Sequence, residues 1–312
     1  MAEIQELRDA NITLWQSNFI TSSRYEMSAL EKNIMYMVMS QLKKNDPSDM
    51  KYIVSAMELM QSTGKDILYA DLKKASAKLI TRILEGVNED GNLVQTSFIA
   101  SATYITGKGL IEIEISNAIR PHYIELKEKF TTFQLDIALS LKSIYSKRLY
   151  EILSMYKNFK EKKFTISVKE LKMKLALISS KGEDKYEAFR NFKIAVLDPA
   201  EREINGDSDI YFTYKALEGK KYGKGRKPID LLEFNVMYKE RKDVEIGYDE
   251  ANKPIYDRLI NDFGLRKDQA SEVIRNYSKI EINKQLYDIH IAKMNNKVGN
   301  IGAYTATIFK VK

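Results

Sequence analysis

The reading of the fold turns on residues 185–236: KYEAFRNFKIAVLDPAEREI (185–204), YFTYKAL (211–217), EGKKYGKGRKP (218–228) and IDLLEFNV (229–236). Phe189, Phe192, Val196 and Ala200 recur at the steps of one helical face, which leaves Glu187, Arg190, Asn191 and Ile194 pointing outward. The helical pattern runs from Lys185 to Ile204 and is interrupted or restarted at Asp198-Pro199, where Asp can cap and Pro can take the first helical position. The runs 211–217 and 229–236 are rich in β-branched and aromatic residues and read as strands. The loop between them carries Lys220, Lys221, Lys224, Arg226 and Lys227, with Gly223 and Gly225 for flexibility and Tyr222 as a stacking face.

A helix fits the major groove of a duplex, and a basic hairpin can lie on phosphates or enter the minor groove. Arg190 and Asn191 are the side chains suited to bidentate base contact, and Lys193, at the edge of the apolar stripe, is expected to snorkel toward a phosphate. Lys181 and Lys185 flank the helix start, where backbone N–H groups also favour phosphate. The competing reading, that Arg190 and Asn191 merely solvate an amphipathic helix, loses weight because the basic hairpin tip lies next to that helix.

The first half has the same order of elements. Met27, Leu30, Ile34, Met37, Val38 and Leu42 form a helical stripe opened by a Ser28–Glu31 capping box, and an extended piece follows at Tyr52 to Val54. Leu72, Ala75, Leu79 and Ile83 then give one face of a second periodic segment. Lys74 and Lys78 point away from that face and Lys73 and Arg82 flank it, as a second reading face or a solvated one. Beyond the Asp90-Gly91 turn, Phe98 to Thr106 and Leu110 to Ile115 form a hairpin through Gly107-Lys108-Gly109. In the second half, Phe133 to Phe159 reads as one long helix, Phe164 to Ile166 as a strand, and a Ser167–Glu170 capping box opens a helix through Leu177. Twice, helices precede a β-hairpin. The fold class is α+β, two tandem winged-helix domains with a small C-terminal helical extension.

The expected boundaries are an N-terminal arm over 1–20, a first winged-helix domain over 21–125, a second and main reading domain over 126–238, a charged linker over 239–252 and a helical extension over 253–312. Ile255, Leu259 and Phe263, then Ala270, Val273, Ile274 and Tyr277, then Leu286, Ile289 and Met294 suggest three short helices there, with little apolar surface for independent stability. The segment from Gly302 to Phe309 stays ambiguous.

The 312 residues are enough for two ordinary domains, and 44% hydrophobic residues are enough for real cores. The net charge of +7 is unevenly placed. Between Lys142 and Lys227 there are 21 Lys and Arg against 12 Asp and Glu, a surplus of nine, which leaves a deficit of two for the rest of the chain. The chain has no Cys, which removes disulfides, thiolate metal sites and Cys nucleophiles and suits a reducing cytoplasm. His122 and His290 are its only histidines, too far apart in sequence for a His-x-Glu or His-Glu-x-x-His metal motif. Gly107-Lys108 lacks the other residues of a P-loop, so ATP hydrolysis is not expected, and isolated histidines disfavour metal-dependent strand nicking. The expectation is a soluble, cytoplasmic protein without catalytic activity, cofactor or metal, having neither a signal-peptide pattern nor a membrane span.

Three segments carry a resemblance. Leu141-Lys-Ser-Ile-Tyr-Ser-Lys-Arg-Leu-Tyr-Glu-Ile-Leu153, then Arg190-Asn-Phe-Lys-Ile-Ala-Val-Leu-Asp-Pro-Ala-Glu-Arg-Glu-Ile-Asn205, then a strand pair closed by Gly-Arg-Lys-Pro resemble the iteron-binding initiators of theta-replicating plasmids. Ser23 to Lys32 is similar to that family's opening, and Asn300 to Ile308 to a terminal motif of some members, with Ile301 where Pro is usual. The resemblance covers roughly residues 15 to 236. It implies two winged helices on one repeated duplex site at a replication origin, origin opening, a homodimeric form, and recruitment of host initiator, helicase loader or primase. It also implies a reading helix at Lys185 to Leu197, a wing at Lys220 to Lys227, and a first-domain helix at Tyr69 to Leu84. Tyr145, Leu149 and Ile152 would be core. Ser146, Lys147 and Arg148 would either approach the DNA backbone, which makes Lys147 and Arg148 candidate contacts, or hold the domains together. A winged-helix transcriptional repressor, autoregulatory or not, and a basic helical module without sequence preference are the alternatives.

Overall fold

The computed structural model describes residues 12–124, 126, 128–156, 162–179, 181–219, 227–239, 253–277, 279–294 and 298–311. The chain divides into two compact units, residues 12–240 and the part beginning at residue 241.

The first unit opens with strand β1 (Thr13–Ser17) and a short helix α1 (Asn18–Ser22). Helix α2 (Ala29–Met39) starts at the capping box, where Ser28 Oγ accepts from the Glu31 N–H and the Glu31 carboxylate accepts from the Ser28 N–H. Strand β2 (Lys51–Ser55), helix α3 (Ala56–Thr63) and helix α4 (Tyr69–Ile80) follow. A ribbon of β3 (Ile83–Val87) and β4 (Leu93–Ser97) precedes the hairpin β5 (Ile99–Ile105) and β6 (Leu110–Ile115). The antiparallel sheet β2-β6-β5 and the three helices make the first winged helix.

A helical turn α5 (Pro121–Ile124), strand β7 (Phe130–Gln134) and helix α6 (Leu135–Ser140) lead to α7 (Ile144–Tyr156). The second winged helix continues with β8 (Lys163–Ser167) and α8 (Val168–Lys174). Helix α9 is assembled from Phe189–Phe192, a π-helical turn Lys193–Leu197 and Asp198–Asp207. The hairpin β9 (Ile210–Glu218) and β10 (Ile229–Tyr238) closes the sheet β8-β10-β9. Both halves therefore run helix, strand, helix, helix, hairpin, and the fold is the α+β tandem winged helix.

Four expectations change. The helix expected to Leu84 ends at Ile80, because residues 83–87 pair with residues 93–97 and bridge to Arg24, whose N–H and C=O both bond Glu85. Gly86 permits this approach, since a Cβ there would lie 2.2 Å from Ser23 Oγ. Ile83, expected on the buried face, is 53% exposed. The long helix expected from Phe133 divides: residues 130–134 pair with β1, burying Thr131 and Phe133 on one face, and Leu141 in an extended conformation separates α6 from α7. Strand pairing overrides local helical periodicity in both places, with a nearby partner at residues 83–87 and a distant one at residues 130–134. The same pairing makes residues 13–17 of the expected N-terminal arm part of the folded body.

The second unit has four helices among its described residues rather than three, α10 (Lys253–Asn261), α11 (Lys267–Asn276), α12 (Lys279–Met294) and α13 (Ile301–Ile308). They enclose a core of their own, with Leu259, Phe263, Val273, Leu286, Ile289 and Phe309 buried. The ambiguous segment is α13, capped by Asn300 Oδ1 accepting from the Ala303 N–H. Gly302 lets this helix meet the α10–α11 turn, because a Cβ there would lie 2.4 Å from the Gly264 carbonyl oxygen.

Candidate nucleic-acid interface

The loop leading into α9 is held from below. Lys172, a Lys on the apolar face of α8 and only 3% exposed, donates to Asp184 Oδ2 (2.7 Å) and to the Tyr186 carbonyl (2.6 Å). Ile178 and Asp184 form a backbone bridge, so Lys181 projects, exposed, from a small loop turned by Gly182. Sequence reading missed this clamp, though a Lys four residues after Val168 and beside Leu171 was the signal for it.

Helix α9 begins at Phe189, four residues later than expected, because Lys185 and Tyr186 form a turn and Ala188 is extended. Of the expected inner face Phe192, Val196 and Ala200 are buried and Phe189 is half-buried against the same core, Leu197 and Ile204 are buried beside them, and Glu187, Arg190, Asn191 and Ile194 are exposed as expected. The helix is interrupted before Asp198-Pro199 as expected, by a π turn after which the regular helix restarts with Pro199 in its first turn, but Asp198 does not cap it. The Asp198 N–H reaches back to the Lys193 carbonyl and a π turn forms. Pro199 offers no N–H and its ring would crowd the Ala195 carbonyl in a regular helix, so widening the preceding turn relieves both demands. The widened turn exposes Lys193, Ile194 and Ala195 in succession. Lys193 does not snorkel outward, because its Nζ lies 2.6 Å from Asp198 Oδ1, which also accepts from the Tyr214 hydroxyl at 3.0 Å. Lys185 is exposed and its Nζ lies 3.1 Å from the Tyr145 hydroxyl, which raises the lysine pKa and keeps it charged.

At the wing, the Gly219 N–H bonds the Pro228 carbonyl and Lys227 is exposed at the base, 3.8 Å from Glu218. Lys220, Lys221, Lys224 and Arg226 lie outside the described residues. In the first winged helix, Leu72, Ala75 and Leu79 are buried, and Lys73, Lys74 and Lys78 form an exposed basic face on α4. Arg82 does not join them. It lies past the helix end and its Nε is 2.8 Å from Glu31, a carboxylate only 1% exposed, so it serves the fold. Lys108, exposed at the tip of the β5–β6 hairpin between two glycines of positive φ, is a wing cation that sequence reading passed over.

Lys147 and Arg148 are the largest correction. They are 0% and 2% exposed, so neither reaches DNA, and for Arg148, which bonds residues of both halves, the domain-holding alternative stands. Arg148 on α7 donates to Glu151 Oε2 (2.6 Å), to Tyr25 Oη, and to the carbonyls of Thr21 (3.1 Å), Ser23 (3.0 Å) and Lys174 (3.3 Å). Glu151 Oε1 meets Lys32 Nζ (2.8 Å) and the Tyr36 hydroxyl (2.8 Å), both on α2 of the first winged helix. The motif around Tyr145 is thus a buried ionic junction between α2 and α7. Burial alone would raise the Glu151 carboxyl, but Lys32 and Arg148 together hold it below the ordinary range. Burial pulls Lys32 down to about 8 against the attraction of Glu151.

Lys147 donates to the carbonyls of Ala138 and Leu139 at the end of α6, and burial pulls its pKa from 10.5 down to about 7. Below about pH 7 the folded and unfolded chains both hold this proton. Between about 7 and 10.5 only the unfolded chain does, so stability rises with pH across that window. From about pH 7 to about pH 8 the gain from Lys147 is expected to approach ~1 kcal/mol, with a smaller share added by Lys32, which is itself titrating by about pH 8. Lys147→Met should lose most of it in urea denaturation at the two pH values. Equal gains in both proteins would place the dependence elsewhere.

The fold and these faces define a tandem winged-helix protein, with an outward-facing basic helix in each half. The model for the initiator replication protein WH1 region matches residues 13–154 and that for the initiator Rep protein WH2 region matches residues 167–236. The chain belongs to the initiator replication protein family. It is 37% identical over 133 residues to the PI protein of Escherichia coli, a match spanning 39% of this chain and less than half, 44%, of that protein. Its fold is similar to the crystal structure of the Pi initiator protein in complex with iteron DNA, with a TM-score of 0.60 and 24% identity over 74% of this chain and 98% of that one. No helix among the described residues is long and apolar enough to cross a membrane.

Proposed function

We propose that this chain is a plasmid replication initiator that binds repeated duplex sites at an origin, promotes origin opening and recruits host replication factors. The observation that carries the reading is the exposed face of α9, where Arg190 and Asn191 project from a helix clamped at its start by Lys172 and Asp184. The basic α4 face of the first winged helix supplies further phosphate contacts through Lys73, Lys74 and Lys78. The role is binding without catalysis, because the chain writes no P-loop and places its two histidines 168 positions apart. Action in the cytoplasm and pairing as a homodimer belong to the same proposal.

Protection mapping on the DNA flanking the chain's own gene tests it. Evenly spaced direct repeats, with strand opening detected by permanganate, are the expected result; a single inverted repeat left closed is the result of a repressor. If the two winged helices neutralise about 6–10 phosphates, log K should fall against log salt with a slope of roughly −5 to −9. A slope near about −2 would remove the basic faces as the contact surface.

A further inference from the structure

Ile194 is 57% exposed in the π turn of α9, on the same face as Arg190 and Asn191, four and three positions before it. A single exposed apolar residue is ordinary on a protein surface, so exposure alone decides nothing. Its setting does. The π turn at Lys193–Leu197 presents three successive side chains outward, and the first is drawn back onto Asp198 at 2.6 Å while the third is the small Ala195. Ile194 is left as the projecting side chain there, and a β-branched residue is a poorer helix former than the Lys, Glu or Gln that a merely solvated position would favour.

In the major groove, the apolar group a base pair offers is the C5 methyl of thymine. We infer that Ile194 is a specificity-determining contact that packs on a thymine C5 methyl beside the bases met by Arg190 and Asn191. The inference rests on α9 being the reading helix. Four residues of helix rise about 6 Å, on the order of two base steps at 3.4 Å each, so the thymine lies within about two steps of the guanine that Arg190 meets. The contact needs no hydrogen bond and discriminates against cytosine, which has no methyl there, and against uracil, which differs from thymine by the methyl alone.

That last difference supplies the test. A duplex selected from random-sequence DNA by the full chain is prepared with thymidine partly replaced by deoxyuridine, and in parallel with guanine N7 partly methylated. Bound and free molecules are then compared. With the unaltered chain, one thymine within about two steps of an Arg190-dependent guanine should show a uracil penalty of about 4-fold, the worth of one buried methyl. Ile194→Ala should abolish that penalty and keep the guanine signal, and Ile194→Val should keep most of both. Since Ile194 is exposed, Ile194→Ala leaves the core filled. An unchanged uracil pattern in Ile194→Ala, or no uracil-sensitive thymine beside that guanine, overturns the inference. A guanine signal that survives Arg190→Ala overturns instead the placement of α9 in the groove, so the two failures are distinguishable.

Discussion

Glu151→Ala is expected to destabilise the paired winged helices by about 3–5 kcal/mol, enough to leave a domain of ordinary stability largely unfolded. The carboxylate is 0% exposed and is the counter-ion of Lys32 and Arg148, which are 1% and 2% exposed. Its removal leaves two cations without compensation in a site that water does not reach, and takes an acceptor from the hydroxyls of Tyr25 and Tyr36. Replacing the whole group by Lys32→Met, Arg148→Met and Glu151→Leu should recover much of the loss, because apolar side chains of similar volume need no partners. Denaturant unfolding checks both. A loss below about 1 kcal/mol for Glu151→Ala would mean that the junction opens to water. Arg148 gives a companion measurement. Were it a phosphate contact, Arg148→Ala would lower the salt slope of DNA binding by about 1, whereas a buried Arg148 leaves the slope of the folded fraction unchanged.

How much of this was legible follows from the range of the interactions involved. The capping box at Ser28, the Gly107–Gly109 turn and the buried stripe of α9 depend on residues within one or two turns of each other and are where local chemistry puts them, while at Ser167 only the N-cap half of the expected box forms, because Glu170 turns to Lys174 at 3.0 Å. Strand β7 is held by residues 13–17, more than a hundred positions away, and β3, although paired with nearby β4, is tied to the body by the Arg24 bridge sixty-one positions back, partners that no local period reveals. Charge misled in the same way. Lys147, Arg148 and Arg82 looked like phosphate ligands because basic residues are usually solvated, and only the acceptors at Ala138, Glu151 and Glu31 show what they hold. A clue was present in α7, where Arg148 and Glu151 stand one helical turn apart, each directly before a buried apolar residue, Leu149 and Ile152. The π turn was foreshadowed only by Pro199, which could as readily have ended one helix and begun another.

Reading and positioning should separate between Arg190 and Lys181. Arg190 is exposed on the first turn of α9, whose start is fixed by the Lys172 clamp, so its guanidinium has a defined direction and can bond O6 and N7 of one guanine together. Lys181 sits at the tip of a loop turned by Gly182, where a flexible ammonium meets phosphate without selecting a base. Arg190→Ala should therefore cost about 1–3 kcal/mol on the selected duplex and little on random duplex, flattening preference at one base pair. Lys181→Ala should weaken both duplexes alike and reduce the salt slope by about 1. Titrations of the two variants at several salt concentrations decide between the roles. Equal losses for Arg190→Ala on both duplexes would make it another phosphate contact, and the reading face would then have to be α4, where Lys73, Lys74 and Lys78 are exposed.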